Sequence, residues 1–280
     1  AHRPSQISAT DFDQLITDPY GFYVKKILKI RQKNPIDELP SVALRGSLIH
    51  DVIAEFSTRY PTGELPEDAE EQLHKIVDAH LSKWSNIAYI DLFWRQKFSV
   101  IINWFLEEEG RRRDERFQVV VEKEGRLELP VGQRLILITA RADRIELHPG
   151  NHYQIIDYKS GNPPSKLAVS SGRAVQLLVE AAILSKGGYR LSDKTAQDIE
   201  LFYWQLKGRE TAPAKIDDVT PDEFDVSIIF DQLLALVQSF ENEDQPYLSE
   251  PNSAQRPKFS QVRHLARIKE WRAFEVNDDG

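Results

Sequence analysis

The sequence predicts a mixed α/β domain, a central sheet flanked by helices with an additional helical layer. Three observations carry this reading. Strand-like runs at Phe117 to Val121, Leu135 to Leu147 and Tyr153 to Tyr158 follow one another, the last two joined by a Pro149-Gly150 turn. A segment from about Arg173 to Ser185, apolar nearly all round, reads as a buried helix, and another strand, Ile199 to Leu206, comes after it. Helical patterning dominates on both sides of this block.

Each element has its own signal. Ser8 or Thr10 opens a helix running to about Ile30 with Phe12, Leu15, Ile16, Phe22 and Tyr23 among its apolar residues, and Asp18-Pro19 is expected to break it in two. After a connector from Asn34 to Pro40, Arg45-Gly46-Ser47 leads into a helix with Leu48, Ile49, Val52, Ile53 and Phe56 on one face. Runs near Glu67 to Trp84 and Ile90 to Gly110 read as inserted helices ending in the charged cluster Arg111 to Arg116. Its alternating signs suggest a solvated helix end rather than a DNA contact. A helix near Pro221 to Asn242, a Pro-rich loop and a short basic helix through Arg263, His264, Arg267 and Lys269 complete the chain. The expected organisation is one domain over 1–280. It comprises an N-terminal helical segment (1–45), a core (46–60 and 117–207), a helical insert (61–116) and a C-terminal helical extension (208–280).

With 280 residues, 41% of them hydrophobic, the chain can bury a large core. No run approaches the roughly 18 to 20 apolar residues of a membrane span, and Ala1-His2-Arg3-Pro4 lacks the apolar core of a secretory signal, so a cytoplasmic protein without a membrane partner is expected. The absence of cysteine excludes disulfides, thiolate zinc sites and iron–sulfur clusters, leaving oxygen and imidazole to hold any metal. Methionine is also absent, as expected of a piece of a longer protein or of methionines carried as a modified residue missing from the sequence. A net charge of -8 argues against coating nucleic acid by bulk charge, yet permits acidic metal ligands beside a local basic track.

The chemistry concentrates in Ile156-Asp157-Tyr158-Lys159-Ser160-Gly161. Strand alternation puts Asp157 and Lys159 on one face. Asp143 stands seven residues before Gly150 and Asp157 seven after it, so a hairpin turning there sets the two carboxylates opposite each other. Directly opposed like charges destabilise a sheet pair, and a cation between them resolves the conflict. Hard oxygen ligands select magnesium, manganese or calcium over softer metals. Taken singly, each residue also fits a plain surface ion pair, Asp157 with Lys159 and Asp143 with Arg141 or Arg144.

Asp143, a hairpin, then Asp157-Tyr158-Lys159 resembles the D…(D/E)xK signature of the restriction-endonuclease-like, or PD-(D/E)xK, superfamily, and Asp157-Tyr158-Lys159-Ser160-Gly161 looks like its RecB-type branch. Gly46-Ser47-Leu48-Ile49-His50 resembles that branch's first motif, and Gln176 stands where its Q-x-x-x-Y motif begins, although Glu180 replaces the tyrosine. Asp18-Pro19-Tyr20 stands where iron–sulfur members carry Cys-Pro. Together with the run His264-Leu265-Ala266-Arg267…Glu270-Trp271, these segments look most like the C-terminal nuclease domain of an AddB-type subunit.

The resemblance implies a restriction-endonuclease-like core and magnesium- or manganese-dependent hydrolysis of DNA, exonucleolytic rather than endonucleolytic. It also implies recombinational repair of double-strand breaks beside an AddA-type helicase–nuclease subunit. It further implies that Asp143, Asp157, His50 and the backbone carbonyl of Tyr158 ligate the metal, that Lys159 positions and helps deprotonate the attacking water, and that Gln176 orients Lys159 or a phosphate. His50 otherwise reads as a half-exposed helix histidine, and Gln176 as a buried side chain satisfying a backbone group. Arg45, Arg141, Arg144, Lys166 and Arg173 are the basic residues expected along the DNA backbone. The rival expectation is an inactive module that binds DNA or a partner subunit and uses the fold as a scaffold.

Overall fold

The chain enters a sheet before its first helix. In the computed structural model, which describes residues 3–30, 42–84, 87, 93–116, 118–191, 196, 198–251, 262–267 and 270, Gln6–Ser8 form a short strand, β1. Ser8 then caps α1 (Ala9–Thr17): its hydroxyl accepts from the Asp11 amide, while Asp11 accepts from the Ser8 N–H at 3.0 Å. The expected break falls at Asp18-Pro19, where Asp18 caps α2 (Pro19–Phe22) by accepting from the Gly21 N–H at 3.2 Å. A π-helical turn over Tyr23–Ile27 follows.

Three helices form the next layer, α3 (Val42–Arg59), α4 (Ala69–Leu81) and α5 (Arg95–Arg113). The first begins ahead of Arg45-Gly46-Ser47 rather than after it. The Asn34–Pro40 connector, the first residues of the run expected from Ile90, and Phe117 lie outside the described residues.

Among the described residues the sheet has six strands: β1, β2 (Gln118–Val131), β3 (Arg134–His148), β4 (His152–Lys159), β5 (Asp198–Arg209) and β6 (Ala212–Asp218). Its order is β1-β3-β4-β5-β6, with β2 on the other edge of β3. The β2–β3, β3–β4 and β5–β6 pairs are antiparallel, and β1–β3 and β4–β5 are parallel. Gly150, in the left-handed region with φ of 80°, turns β3 into β4. The expected hairpin register holds, with Ile145 opposite Ile155 and Arg144 opposite Ile156. Between β4 and β5 run α6 (Lys166–Ser170) and α7 (Gln176–Ser185), and α8 (Val226–Glu241) follows the sheet. The short strands β1 and β6 and the helix α6 were not expected.

Each face of the sheet carries its own core. On one, α1, α7 and α8 pack residues such as Phe12, Leu178, Ile183 and Val237 against Ile138, Ile145 and Ile155. On the other, α3, α4 and α5 pack Phe56, Leu73 and Phe105 against Ile156, Tyr158 and Trp204. This is the mixed α/β arrangement that the sequence predicts, and it is consistent with the restriction-endonuclease-like core that the resemblance implies. Two ends of the chain meet beside α8: the Tyr20 N–H donates to the Leu248 carbonyl at 3.0 Å, and the Tyr247 ring lies 6.4, 5.2 and 4.9 Å from those of Phe22, Tyr23 and Phe240. Residues 262–267, which include Arg263, His264 and Arg267, form successive turns rather than the expected basic helix, and Lys269 and Trp271 lie outside the described residues. Among the described residues no helix is long and apolar enough to cross a membrane.

The Arg111 to Arg116 cluster departs from its expected solvated role. Arg112 and Arg116 are buried and bind Glu146 at 2.9 and 3.4 Å, and Arg116 also pairs with Glu109. Arg144, fully buried, joins them through Glu109 at 2.6 Å and Glu146 at 2.8 Å, with its guanidinium over the Trp204 ring. Burying these charges is tolerable only because each meets its opposite. Loss of Glu109 takes a buried carboxylate from three arginines, Arg113, Arg116 and Arg144, and leaves Glu146 alone to balance the last two. We therefore expect Glu109→Ala to lower unfolding free energy by about 3–5 kcal/mol in denaturant titration, whereas a loss below about 1 kcal/mol, the range of surface pairs, would mean that the cluster is not integral to the core.

Candidate active site

Alternation along β4 places Asp157 and Lys159 on one face, and there they pair, Lys159 Nζ lying 2.6 Å from Asp157 Oδ2. The paired ladder of β3 and β4 stops at Arg144 opposite Ile156, so Asp143 and Asp157 are the next positions facing each other. Asp143 uses that gap: its Oδ2 accepts from the Tyr158 N–H at 2.9 Å.

The other neighbour of β3 supplies a third carboxylate, which the sequence pattern did not reveal. Glu122 lies opposite Asp143, between the pairs Val121 with Arg144 and Lys123 with Ala142. Its φ of 49° is left-handed, at a cost of about 1–3 kcal/mol for a residue with a side chain. Three adjacent strands thus bring a carboxylate to one level. The only warning in the sequence is an acid interrupting the β-branched run Val119-Val120-Val121.

His50 arrives on α3. A Cβ on Gly46 would stand 3.0 Å from Ser160 Oγ, so the glycine lets α3 approach the end of β4 closely. One turn further on, His50 Nδ1 lies 3.3 Å from Asp143 Oδ2, and its ring meets the Tyr158 ring edge-on at 5.5 Å. The ligand atoms of His50, Glu122 and Asp143 all lie within 4.8 Å of one another. One imidazole and two hard carboxylates at this spacing fit a divalent cation such as magnesium or manganese. Of the ligands implied by the resemblance, His50 and Asp143 belong to this trio. Asp157 is turned to Lys159 and Gln176, and Tyr158 enters through its amide.

Gln176 opens α7, which has no side-chain cap of its own. Asp13 of α1 supplies one instead, its Oδ1 accepting from the Val175 N–H at 2.6 Å. Gln176 Nε2 donates to Asp157 Oδ1 at 2.6 Å and to Glu180 Oε1 at 3.2 Å, and its Oε1 accepts from Lys159 Nζ at 3.4 Å. The side chain therefore orients both Asp157 and Lys159.

Burial pushes the Asp157 carboxyl up to about 6; Asp143 adds to the rise, and Lys159 and His50 oppose it. Burial disfavours the Lys159 ammonium, but Asp157 outweighs it and holds the pKa above the usual lysine value. The same contest at His50, burial against the Asp143 carboxylate, ends with the imidazole raised. Glu122 is raised by burial and then by Asp143, and Glu180 is raised well above its usual value by burial and then by Asp157 and Asp143.

The basic residues expected on DNA divide. Arg144 is a correction: with no exposure and both carboxylate partners in the core, it cannot reach a phosphate. Arg141 is well exposed and pairs with Glu122 at 2.6 Å, Lys166 pairs with Asp222 at 2.6 Å, and Arg173 donates to Ser171 Oγ at 2.8 Å. Arg45 shares a positive region with Lys97 and Arg209; the lowered pKa of Lys97 comes from burial first and from these two charges next. Neither Lys97 nor Arg209 was foreseen, because each belongs to a different element.

The profile of the PD-(D/E)XK nuclease superfamily matches residues 6–273, and the chain belongs to that superfamily. Its members are nucleases that usually work with divalent metals. Among curated proteins the chain is 30% identical over 250 residues to an uncharacterised protein of Rickettsia felis, covering 88% of this chain and 29% of that protein. It is 33% identical over 193 residues to one of Rickettsia bellii, covering 69% and 23%. It is also 26% identical over 189 residues to one subunit of the ATP-dependent helicase/deoxyribonuclease of Clostridium novyi, covering 57% of this chain and 16% of that protein. The chain thus spans less than a third of the length of each.

His50, Glu122, Asp157 and Glu180 all bind protons more tightly here than in an unfolded chain. Stability from such groups is complete below their unfolded pKa values and is lost as pH rises through the folded ones. The thermal midpoint of metal-free protein should therefore rise as pH is lowered from about 8 to about 5. Added magnesium should raise the midpoint more at the alkaline end, where it meets ionised carboxylates, and Glu122→Gln should shrink that increase. Scanning calorimetry checks both. A midpoint falling steadily toward about pH 5, or a magnesium effect untouched by Glu122→Gln, would contradict the assignment.

Proposed function

We propose that this domain is a magnesium- or manganese-dependent deoxyribonuclease, working from DNA ends rather than within the strand. The observation that carries the proposal is the opposition of Asp143 and Asp157 at one level of the sheet, with Lys159 and His50 beside them. His50, Asp143 and Asp157, with the Tyr158 carbonyl, are the proposed protein ligands, and Glu122 joins them. The cation would stabilise charge on the phosphate and lower the pKa of bound water. Lys159, held by Asp157 and by Gln176 Oε1, positions the attacking water and takes part in its deprotonation. Arg45, Lys97 and Arg209, together with Arg141, Lys166 and Arg173, are proposed contacts for the DNA backbone.

The similarity to the helicase/deoxyribonuclease of Clostridium novyi supports a wider setting: an AddB-like nuclease domain beside an AddA-type partner in the cytoplasm, acting in the recombinational repair of double-strand breaks. End-labelled single-stranded and double-stranded DNA, incubated with the purified chain with and without magnesium, tests the activity. Magnesium-dependent shortening from the ends is expected; DNA binding without cleavage would favour a scaffold.

Lys159→Ala separates chemistry from binding. It leaves Asp143, Asp157 and His50 in place, so DNA should still bind in calcium, while single-turnover cleavage slows by about 100-fold to 10,000-fold. Weaker binding with a normal rate at saturating DNA would reduce Lys159 to a phosphate contact.

A further inference from the structure

Glu180 takes no part in the chemistry proposed above, yet its state calls for a ligand. The residue is 1% exposed on α7; its Oε1 accepts from Gln176 Nε2 at 3.2 Å, and its Oε2 has no hydrogen-bond partner. A buried carboxyl oxygen left unsatisfied is unfavourable, and one that lines a cleft can be completed by what enters the cleft. Glu180 lines a cleft of about 450 Å³ together with Gln176, Glu124, Arg126, Thr139, Ala140 and Arg141. The cleft adjoins the catalytic centre through Gln176, whose amide nitrogen donates to Asp157 Oδ1 at 2.6 Å on one side and to Glu180 on the other.

Charge and size decide what fits. The wall carries both signs, Glu124 and Glu180 beside Arg126 and Arg141, and each arginine already has a carboxylate, Arg126 that of Glu124 at 3.5 Å and Arg141 that of Glu122 at 2.6 Å, so the cleft favours neither a free anion nor a cation, and the space is far larger than one dehydrated cation needs. Its volume lies within the usual range of small-molecule pockets, and its wall mixes alanine and leucine with hydroxyl groups and with carboxylate and guanidinium groups of balanced charge. That suits a flat neutral group with hydrogen-bonding atoms along its edge. We propose that the cleft is a nucleobase subsite in which Glu180 Oε2 hydrogen-bonds the edge of an unpaired base in the nucleotide adjoining the bond cleaved at Asp143 and Asp157. The proposal rests on the nuclease reading and deepens it: the base must leave its stack, so the enzyme works on single-stranded or frayed ends.

The test compares binding of an end-labelled single strand with that of the same strand lacking the bases near its ends, measured by fluorescence anisotropy in calcium. Loss of the base should weaken binding by wild-type protein about tenfold, as one or two hydrogen bonds require. In Glu180→Ala that difference should collapse toward one, and Glu180→Gln, which keeps a hydrogen-bonding group of the same shape, should retain most of it; thermal midpoints show that both variants are folded. Equal binding of the two strands by wild type, a base preference surviving in Glu180→Ala, or a second calcium equivalent lost in Glu180→Ala would overturn the subsite. The outcomes separate the two readings: base-dependent binding without cleavage in magnesium sinks the nuclease and keeps the subsite, whereas cleavage without base preference does the reverse.

Discussion

Coulomb repulsion within one level of the sheet is the constraint around which the molecule is arranged. Glu122, Asp143 and Asp157 come from three adjacent strands, and Glu180 adds a fourth acid from the helix beneath. Two like charges about 4 Å apart repel by about 4 kcal/mol at the effective dielectric of a protein surface, and by more inside. The neighbouring side chains answer this repulsion one by one. Arg141 takes Glu122, His50 takes Asp143, Lys159 and Gln176 share Asp157, and burial holds Glu180 toward its neutral form. The strained backbone at Glu122 fits the same account, since folding alone gives no reason to add a carboxylate to a crowded row.

A second cluster of charges, behind the first, makes the row rigid. Arg144 follows Asp143 on β3 and Tyr158 follows Asp157 on β4, so both point away from the catalytic face into the core beneath α5. There the Arg144 guanidinium lies 3.5 Å from the Tyr158 hydroxyl and is gripped by Glu109 and Glu146. Each catalytic aspartate is thus followed in sequence by a side chain locked into the opposite core. Shifting β3 by one residue would place an arginine on the catalytic face, and shifting β4 a tyrosine, with a carboxylate driven into the core in each case.

That coupling also explains what could be read from the sequence. The facing of Asp143 and Asp157 was legible because hairpin pairing follows from distance to Gly150, and the α3 stripe and the buried α7 because apolar periodicity is local. Arg144 was misread because its partner Glu109 lies in another element, and a basic residue beside a catalytic acid looks the same in sequence whether it faces solvent or core. Arg112 and Arg116 were misplaced for the same reason. Glu122 was lost because the charged residues after Val121 looked like the end of a strand, whereas β2 continues to Val131 with its polar residues half-exposed or exposed. β1 and β6 are short or half-exposed and have no apolar alternation to announce them.

The meeting of Tyr20 with Leu248, and of Phe22 and Tyr23 with Tyr247, has a consequence for the order of events during synthesis. At roughly 5–20 residues per second, the ribosome needs on the order of 10–50 s between making the first of these residues and the last. Until then Tyr20, Phe22 and Tyr23 lack the surface that covers them, and the helix just before them carries Asp13, which sets the start of α7 and hence the aim of Gln176. The nascent chain can lay down β2, β3 and β4 early, but the segment that follows the helix of Asp13 is covered only near the end. A ribosome stalled before residue 247 would hold a sheet bearing its acidic row with that segment still uncovered.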